Sequence, residues 1–218
     1  VASASARLVI IADGSKLVAG DLSYSGGSLY LSTDFGATWT ARMTDQGRRW
    51  HSIAVSADGS RLAAVDFGVG GAGGQMVTSI DGGANWTVVG NPSVWIRVAM
   101  SGDGRSLVAA EWGPDLNRVG RRPLHVSTDF GATWTLQGPE QYWHAPALSD
   151  DGSRMVAGDV GSLNPSEPDF LLGGRIYLSA QPAACVAQPT GLVSWWRGEG
   201  DAADEAGAVQ GTLQGATF

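Results

Sequence analysis

Lysine and cysteine are almost absent from this chain of 218 residues, which contains one of each, Lys16 and Cys185. A single cysteine excludes an intrachain disulfide and every metal site that is built from paired cysteines. The three histidines have no spacing that is typical of a metal site, so we expect neither a bound metal nor a cofactor. No apolar run reaches the roughly 18–20 residues that span a membrane, and no signal peptide is recognisable after Val1.

Positive charge is also scarce, since 14 Lys and Arg residues stand against 21 Asp and Glu residues and give a formal net charge of −7. A protein that binds nucleic acid needs a basic surface to neutralise phosphates, so the composition argues against a nucleic-acid partner. Glycine, with 32 residues, and tryptophan, with 9, are abundant instead. Glycine-rich turns between strands that carry aromatic residues are typical of an all-β protein.

One octet, S-x-D-x-G-x-x-W, occurs three times. It reads STDFGATW at residues 32–39 and 127–134, and SIDGGANW at residues 79–86. An Asp-Gly pair recurs at a spacing of 45 to 48 residues, which is the length of one four-stranded propeller blade. The four pairs are Asp13-Gly14, Asp58-Gly59, Asp103-Gly104 and Asp151-Gly152.

Each repeat predicts four strands. In the second unit these are residues 51–56, 61–66, 75–79 and 85–89, with a hairpin at the Asp-Gly pair. Small residues recur at one register of the first strand, as expected for the innermost strand around a channel. We therefore predict an all-β fold, a β-propeller of four-stranded antiparallel blades over residues 1–182 with about four blades present. A β-sandwich is the alternative fold.

The octets resemble Asp-boxes, the bacterial-neuraminidase repeats of sialidases, xyloglucan-active glycoside hydrolases, sortilin-type receptors and photosystem assembly factors. Physically, the Asp can bond the turn backbone, the Gly allows positive φ, and the Trp can cover the turn. The resemblance implies a structural role at the blade periphery and, since these families usually have more blades, an incomplete or open ring. In the fourth unit Gln181 replaces the Asp. The intact boxes consist of Ser32, Asp34, Gly36, Trp39, Ser79, Asp81, Gly83, Trp86, Ser127, Asp129, Gly131 and Trp134.

The composition changes after residue 182. Residues 183–191 are predicted to be a linker, and residues 192–218 resemble the opening of a LamG-type, concanavalin A-like jelly-roll domain. Such a domain needs on the order of 150 residues, so we expect it to be truncated here; an ordinary tail is the alternative. The residues that carry the resemblance are Trp195-Trp196, Gly198–Gly200, Asp204 and Gly211-Thr212-Leu213.

Acidic and aromatic residues recur at the opposite edge of the repeat. Carboxylates beside aromatic rings can bind sugars, cations or basic peptides. Equally, such acids can bond loop backbone and such tryptophans can wedge between blades. An acidic residue ends the second strand of every unit, at Asp21, Asp66, Glu111 and Asp159. A tryptophan enters the first strand of three units from the same side, at Trp50, Trp95 and Trp143.

These residues give little support for an enzymatic function. Sialidases resembling this repeat carry an R-I-P motif, and Arg122-Pro123 lacks the isoleucine. A two-carboxylate glycosidase needs an asymmetric acid pair, whereas these acids recur in every unit. His51 and His144 share one register and His125 lies on a third strand, which favours packing or surface roles.

We therefore predict a non-catalytic, extracellular or cell-surface module for binding or scaffolding. Its ligand is expected to be a glycan or a protein on the channel face, and self-association through open blade edges is expected as well. One alternative is a fragment of a propeller glycoside hydrolase, sialidase-like or xyloglucanase-like, whose catalytic residues lie outside this chain. Another is a structural or assembly-factor-like propeller.

Overall fold

The computed structural model describes residues 6–10, 14–22, 27–44, 48–68, 73–113, 120–159 and 176–180. All regular secondary structure in these residues is β-strand. The first two sheets consist of β1 (Ala6–Ile10), β2 (Leu17–Asp21), β3 (Leu29–Ser32) and β4 (Thr40–Arg42), and of β5 (Trp50–Val55), β6 (Leu62–Asp66), β7 (Gly74–Ser79) and β8 (Thr87–Ser93). The next two consist of β9 (Trp95–Met100), β10 (Leu107–Glu111), β11 (Arg122–Ser127) and β12 (Thr135–Gln141), and of β13 (Ala147–Leu148), β14 (Arg154–Gly158) and β15 (Ile176–Ala180).

Each sheet is an antiparallel meander in which the strands follow one another in chain order. The first three sheets have four strands each, and the fourth has three within the described residues. The predicted all-β fold of antiparallel blades is therefore confirmed. The predicted bounds of β8 are wrong at both ends. Asn85 still belongs to the preceding turn, because its backbone N–H donates to Asp81 Oδ1 at 2.9 Å, and the strand continues through Gly90 to Ser93.

The first strand of each sheet lies on the inside of the arrangement. β5 contacts β1 and β2 of the first sheet, β9 contacts β5 and β6, and β13 contacts β9 and β10. The small residues Ala54, Ala99 and Ala147 lie on these inner strands, as predicted. In the described part of the chain, no contact of similar extent joins the first sheet to the fourth.

The hydrophobic core consists of three clusters, each formed between successive sheets. Val18, Leu29 and Leu31 of the first sheet pack with Trp50 and Ile53 of the second. The second cluster joins the second sheet to the third, and the last joins the third to the fourth. Full burial of one such side chain contributes about 1.5–3 kcal/mol, so each blade is stabilised mainly by its neighbours.

Several predictions fall outside the described residues. These are Gln181, the linker at 183–191 and the LamG-like segment at 192–218. The long loop between β14 and β15 lies there as well, apart from its first residue, Asp159. Among the residues that the structure describes, no helix is long and apolar enough to cross a membrane.

Candidate functional site

The first Asp-box forms a closed hydrogen-bonded turn between β3 and β4. Ser32 Oγ donates to Asp34 Oδ1 at 2.8 Å, and Gly36 N–H donates to Ser32 Oγ at 2.9 Å. Thr38 donates to Asp34 twice, from its backbone N–H at 2.8 Å and from Oγ1 at 2.6 Å. The Trp39 indole N–H closes the turn on Gly36 O at 3.0 Å. Both oxygens of the carboxylate are thus used inside the octet.

The other two boxes repeat this network. Asn85 takes the place of threonine in the second box, and its side chain donates to Asp81 Oδ2 at 2.7 Å. These bonds stabilise the ionised carboxylate, so hydrogen bonds from Asn85 lower the pKa of Asp81 to about 2, and those from Thr133 lower the pKa of Asp129 to about 2. The pKa of Asp34 is lowered for the same reason.

The box tryptophans also pack between sheets. Trp86 and Trp134 are partly buried, Trp86 against the cluster between the first two sheets and Trp134 against the next one. Trp39, in the first sheet, is 41% exposed. A box therefore covers the seam between its own sheet and the preceding one.

A second serine–aspartate motif closes the hairpin between the first two strands of three sheets. Ser56 Oγ donates to Asp58 Oδ1 at 2.6 Å, and Arg61 N–H donates to Ser56 Oγ at 3.0 Å. The Ser56 hydroxyl is the main cause that lowers the pKa of Asp58 to about 2. The sequence shows this motif as a serine two residues before three of the four Asp-Gly pairs, at Ser56, Ser101 and Ser149.

In each of the first three sheets the hairpin and the box lie at the same end, which we call the turn end. A backbone hydrogen bond joins the two motifs in each of the first three sheets. Phe35 N–H donates to Ser15 O at 3.2 Å, Gly82 N–H to Ser60 O at 2.9 Å, and Phe130 N–H to Arg105 O at 2.8 Å. The opposite end, where the second strand of each sheet ends in an acidic residue, is the loop end.

At the loop end, Asp66 closes its own loop. It is buried, and its carboxylate accepts hydrogen bonds from the backbone of Gly68 at 2.5 Å and of Gln75 at 3.2 Å. The Arg48 guanidinium lies 3.6 Å away. The carboxylate thus holds both ends of the loop between β6 and β7.

The other three acids lie at the same register. Glu111 accepts a short hydrogen bond from Ser93 Oγ, and its Oε1 lies 3.1 Å from His125 Nε2. Asp159 is buried and forms an isolated bridge with Trp143. Asp21 is half-buried, and its backbone N–H donates to Ser28 O at 3.2 Å.

The three repeated tryptophans lie inside the protein. Trp50, Trp95 and Trp143 are 0%, 4% and 1% exposed. The Trp50 indole N–H donates to Gly27 O of the preceding sheet at 3.2 Å. Trp95 and Trp143 each meet a ring of their own third strand edge-on, His125 at 4.9 Å and Tyr177 at 4.7 Å. Ligand binding by these tryptophans stays a prediction, and no face of their rings is open to solvent in this structure.

Basic side chains from three sheets meet at the inner edge of the loop end, in a group that we call the basic row. It consists of His51, Arg97 and His144. Arg97 Nη1 lies 2.8 Å from His51 Nδ1, and Arg97 Nη2 lies 3.2 Å from His144 Nε2. All three side chains are half-buried. The sequence places His51 and His144 at one register but gives no indication that Arg97 lies between them.

Aromatic residues adjoin the basic row. Phe67 stacks on His51 with ring centroids 5.4 Å apart, and Trp112 meets Phe67 edge-on at 6.3 Å. The Arg49 guanidinium lies 5.1 Å from the Phe67 centroid. The Trp112 indole N–H is buried and has no hydrogen-bond partner among the described residues. Among all the residues that the structure describes, no group of three or more His, Cys, Asp or Glu residues could hold a metal ion.

Comparison with known proteins agrees with this architecture. The family model of the BNR/Asp-box repeat matches residues 30–41, which contain the whole of the first octet, residues 32–39. No curated protein sequence matches the chain.

Three solved structures illustrate the likeness in fold. An ancestral GH74 enzyme is 18% identical with a TM-score of 0.59, over 80% of this chain and 24% of that enzyme. The GH74 xyloglucanase from Xanthomonas campestris is 18% identical with a TM-score of 0.53, over 70% and 27%. A putative TolB from Agrobacterium tumefaciens is 19% identical with a TM-score of 0.57, over 79% and 60%. This chain thus matches about a quarter of the length of either GH74 enzyme. It is a β-propeller-type arrangement of antiparallel blades with Asp-box repeats.

Proposed function

We propose that the chain is a non-catalytic binding module and that its ligand, a glycan, meets the loop end at the inner edge. The observation that carries this proposal is the basic row, in which His51, Arg97 and His144 come together from three different sheets. The recurring serine–aspartate motifs and boxes form hydrogen bonds that stabilise the blades themselves. The basic row, in contrast, is assembled from side chains of three different blades, and such an arrangement is expected of a ligand site on a propeller.

The acids of the loop end support binding rather than hydrolysis. Asp66 is occupied by loop backbone and Glu111 by Ser93 and His125. A glycosidase needs two carboxylates facing one open substrate space, about 5–9.5 Å apart. The carboxylates of Asp66 and Glu111 are instead engaged inside their own sheets.

An array of immobilised glycans tests the proposal, with the chain compared with Arg97→Gln and Arg105→Gln. Arg105 is a matched control because its exposed side chain lies at the turn end. We expect binding to a subset of glycans that the Arg97 variant loses and the Arg105 variant keeps. Binding of no glycan at all, or equal binding by all three proteins, contradicts the proposed function.

The fold likeness to GH74 enzymes favours one second candidate, a part of a propeller glycoside hydrolase. In that case the catalytic carboxylates lie outside this chain, which corresponds to about a quarter of those enzymes. Release of reducing sugar from xyloglucan by a longer natural form, but not by this chain, is the result that this candidate predicts. For either candidate we place the protein outside the cell or on its surface, where glycans are met.

Self-association through open blade edges is a further part of the proposal. Phe35 and Trp39 of the first sheet are exposed, whereas Trp86 and Trp134 pack against a preceding sheet. An apolar surface of this kind supports contact with another blade. Sedimentation that depends on protein concentration, and that weakens in Trp39→Ser, is the expected result.

A further inference from the structure

We infer that the chain pairs with a second copy of itself head to tail, so that the fourth sheet of each copy packs on the first sheet of the other. This inference rests on the self-association in the proposed function and names the two surfaces that meet. Tyr30, Phe35 and Trp39 mark the surface on the first sheet, which we call the front face. Arg154 and Ile176 mark the surface on the fourth sheet, which we call the back face.

The back face repeats a surface that the other three sheets bury. Leu29, Met76 and Leu124 lie three residues before the serine that ends the third strand, and each packs in the cluster between its own sheet and the next. None of these three side chains is more than 2% exposed. Ile176 stands at the same position of the fourth sheet and is 68% exposed. The fourth sheet thus exposes a side chain of the kind that each earlier sheet buries under its successor.

The front face repeats the surface that later sheets bury against the sheet before them. Trp86 and Trp134 pack in the clusters that their sheets share with the preceding sheet, whereas Trp39 is exposed. Val77 is fully buried in the first cluster, whereas Tyr30, at the same position of the first sheet, is exposed. The front face therefore has the form of a surface that accepts a preceding sheet.

A basic side chain of the preceding sheet lies beside the box in two existing seams. The Arg61 guanidinium lies 4.7 Å from the ring centroid of Phe130 in the third sheet. Lys16 Nζ lies 3.2 Å from the place where a Cβ of Gly82 would stand. Both basic residues come two residues after the Asp-Gly pair of their own sheet, where the third sheet has a serine and the fourth has Arg154. Arg154 is exposed.

The first box indicates which sheet it accepts. The octets that contain Phe35 and Phe130 have the same sequence, and Phe35 is exposed. Because Arg61 covers Phe130, the expected complement of Phe35 is a sheet with an arginine at the position of Arg61. The fourth sheet meets this requirement with Arg154, and a guanidinium is attracted to the face of an aromatic ring. Charge and register thus pair the back face with the front face.

The occupant of each face is a second copy. Terminal units of repeat arrays usually have a polar outer face, which neither face has. Within one chain, no contact comparable to those between successive sheets joins the first and fourth sheets among the described residues. A head-to-tail contact closes into a ring or continues as an open chain of copies. Two copies of four sheets each give eight blades, within the range of known propellers, and three copies exceed it. We therefore expect a closed dimer.

Sedimentation equilibrium of the full chain tests both faces. Phe35→Lys places a positive charge opposite Arg154, and Ile176→Asp places a carboxylate in the apolar part of the back face. Ile80→Lys is the matched control, since Ile80 is an exposed side chain of the second box. We expect the parent and the control to reach twice the mass of one chain, and each face variant to associate roughly tenfold more weakly or worse. Association of both face variants like the parent overturns the inference.

A mixture of the two face variants separates head-to-tail contact from contact between like faces. Phe35→Lys keeps its back face and Ile176→Asp keeps its front face, so the mixture can form one intact seam. We expect a species of two chains in the mixture at concentrations where each variant alone is monomeric. If two front faces met, Ile176→Asp would associate like the parent. Self-association would then stand, and the head-to-tail inference would be wrong.

A parent chain that is monomeric at every concentration overturns both the inference and the self-association in the proposed function. That result is expected if another segment of the same chain covers one of the faces. Glycan binding is measured on the array with Arg97→Gln, which leaves both faces intact. The two parts of the proposed function can therefore fail separately.

A charge exchange tests the pairing of Arg154 with Phe35. Arg154→Glu is expected to weaken association roughly tenfold or more, because both seams of the closed dimer lose a cation–π contact. Adding Phe35→Lys to the same chain should restore part of the loss, since opposite charges then face each other across each seam. Arg105→Glu is the control, because Arg105 is an exposed side chain at the turn end of the third sheet. Unchanged association of Arg154→Glu, or no recovery in the double variant, overturns the pairing.

Discussion

Trp50 lies directly against Gly20 of the preceding sheet. A Cβ atom added to Gly20 would lie 2.6 Å from the Cβ of Trp50, which is closer than two carbon atoms can pack. The contact explains why a glycine stands in the middle of β2. It also seats the Trp50 ring in the seam between the first two sheets.

Replacing this glycine is expected to destabilise the protein. In Gly20→Ala the methyl group must displace Trp50 or the backbone of β5, and overpacking of this kind costs about 1–3 kcal/mol. Gly120→Ala is the matched control, since a Cβ there meets nothing within 4 Å. The free energy of unfolding, measured in urea, distinguishes the two variants. Equal stability of both would show that the seam can relax around the added methyl group.

The two phenylalanines of the boxes are expected to respond differently to glycine. Phe35 and Phe130 have φ values of +57° and +58°, and the second box has Gly82 in this position with φ +68°. Left-handed backbone costs a non-glycine residue roughly 1–2 kcal/mol, and this cost exceeds the entropic penalty of glycine, roughly 0.5–1 kcal/mol. Phe35→Gly should therefore leave thermal stability unchanged or raise it slightly.

Phe130→Gly should lower stability relative to Phe35→Gly. The Arg61 guanidinium lies 4.7 Å from the Phe130 ring centroid, and the ring packs on the cluster between the second and third sheets. Phe35 is 73% exposed, so its replacement by glycine removes less stabilising packing. Thermal unfolding of the two variants side by side measures the difference, and a more stable Phe130→Gly contradicts this account.

The box carboxylates are expected to make stability depend on pH in the acid range. The pKa of Asp81 falls from 3.8 to about 2 in the folded protein, so the ionised form is bound more tightly there than in the unfolded chain. Its contribution is present above about pH 4 and is lost as the pH falls toward about 2. Urea unfolding at several pH values should show a shallower acid loss for Asp81→Asn than for the parent. An acid loss as steep in Asp81→Asn as in the parent chain would contradict this account.

Glu111→Gln tests whether the acids of the loop end are structural. The carboxylate accepts from Ser93 and His125, so its neutral amide should lower the free energy of unfolding by roughly 1–3 kcal/mol. Glycan affinity of the folded variant should stay close to that of the parent. The control is Glu140→Gln on the exposed strand β12. Lost affinity at unchanged stability would instead support ligand binding by Glu111.

The sequence predicts the blades well because their markers are local. An Asp-Gly hairpin and an octet are short enough that residues such as Ser32, Asp34 and Thr38 determine the turn themselves. The basic row is different, since it depends on the approach of separate sheets. The β5–β6 and β9–β10 ladders shift register at the same place, and Ser52 and Arg97 each lie two residues after the tryptophan of their own unit. A comparison of repeats by their tryptophans therefore aligns Arg97 with Ser52 and not with His51, its neighbour in space.

The packing of the box tryptophans links each blade to the one before it. Trp86 and Trp134 cover seams that their own sheets cannot form alone. Stability in such an array is a sum of terms between nearest neighbours, so damage to one sheet should pass to the next in chain order. Unfolding of the first sheet would expose Trp86 to solvent in the way that Trp39 is exposed in the folded protein. The order in which the box tryptophans become exposed during unfolding would therefore show the order in which the sheets unfold.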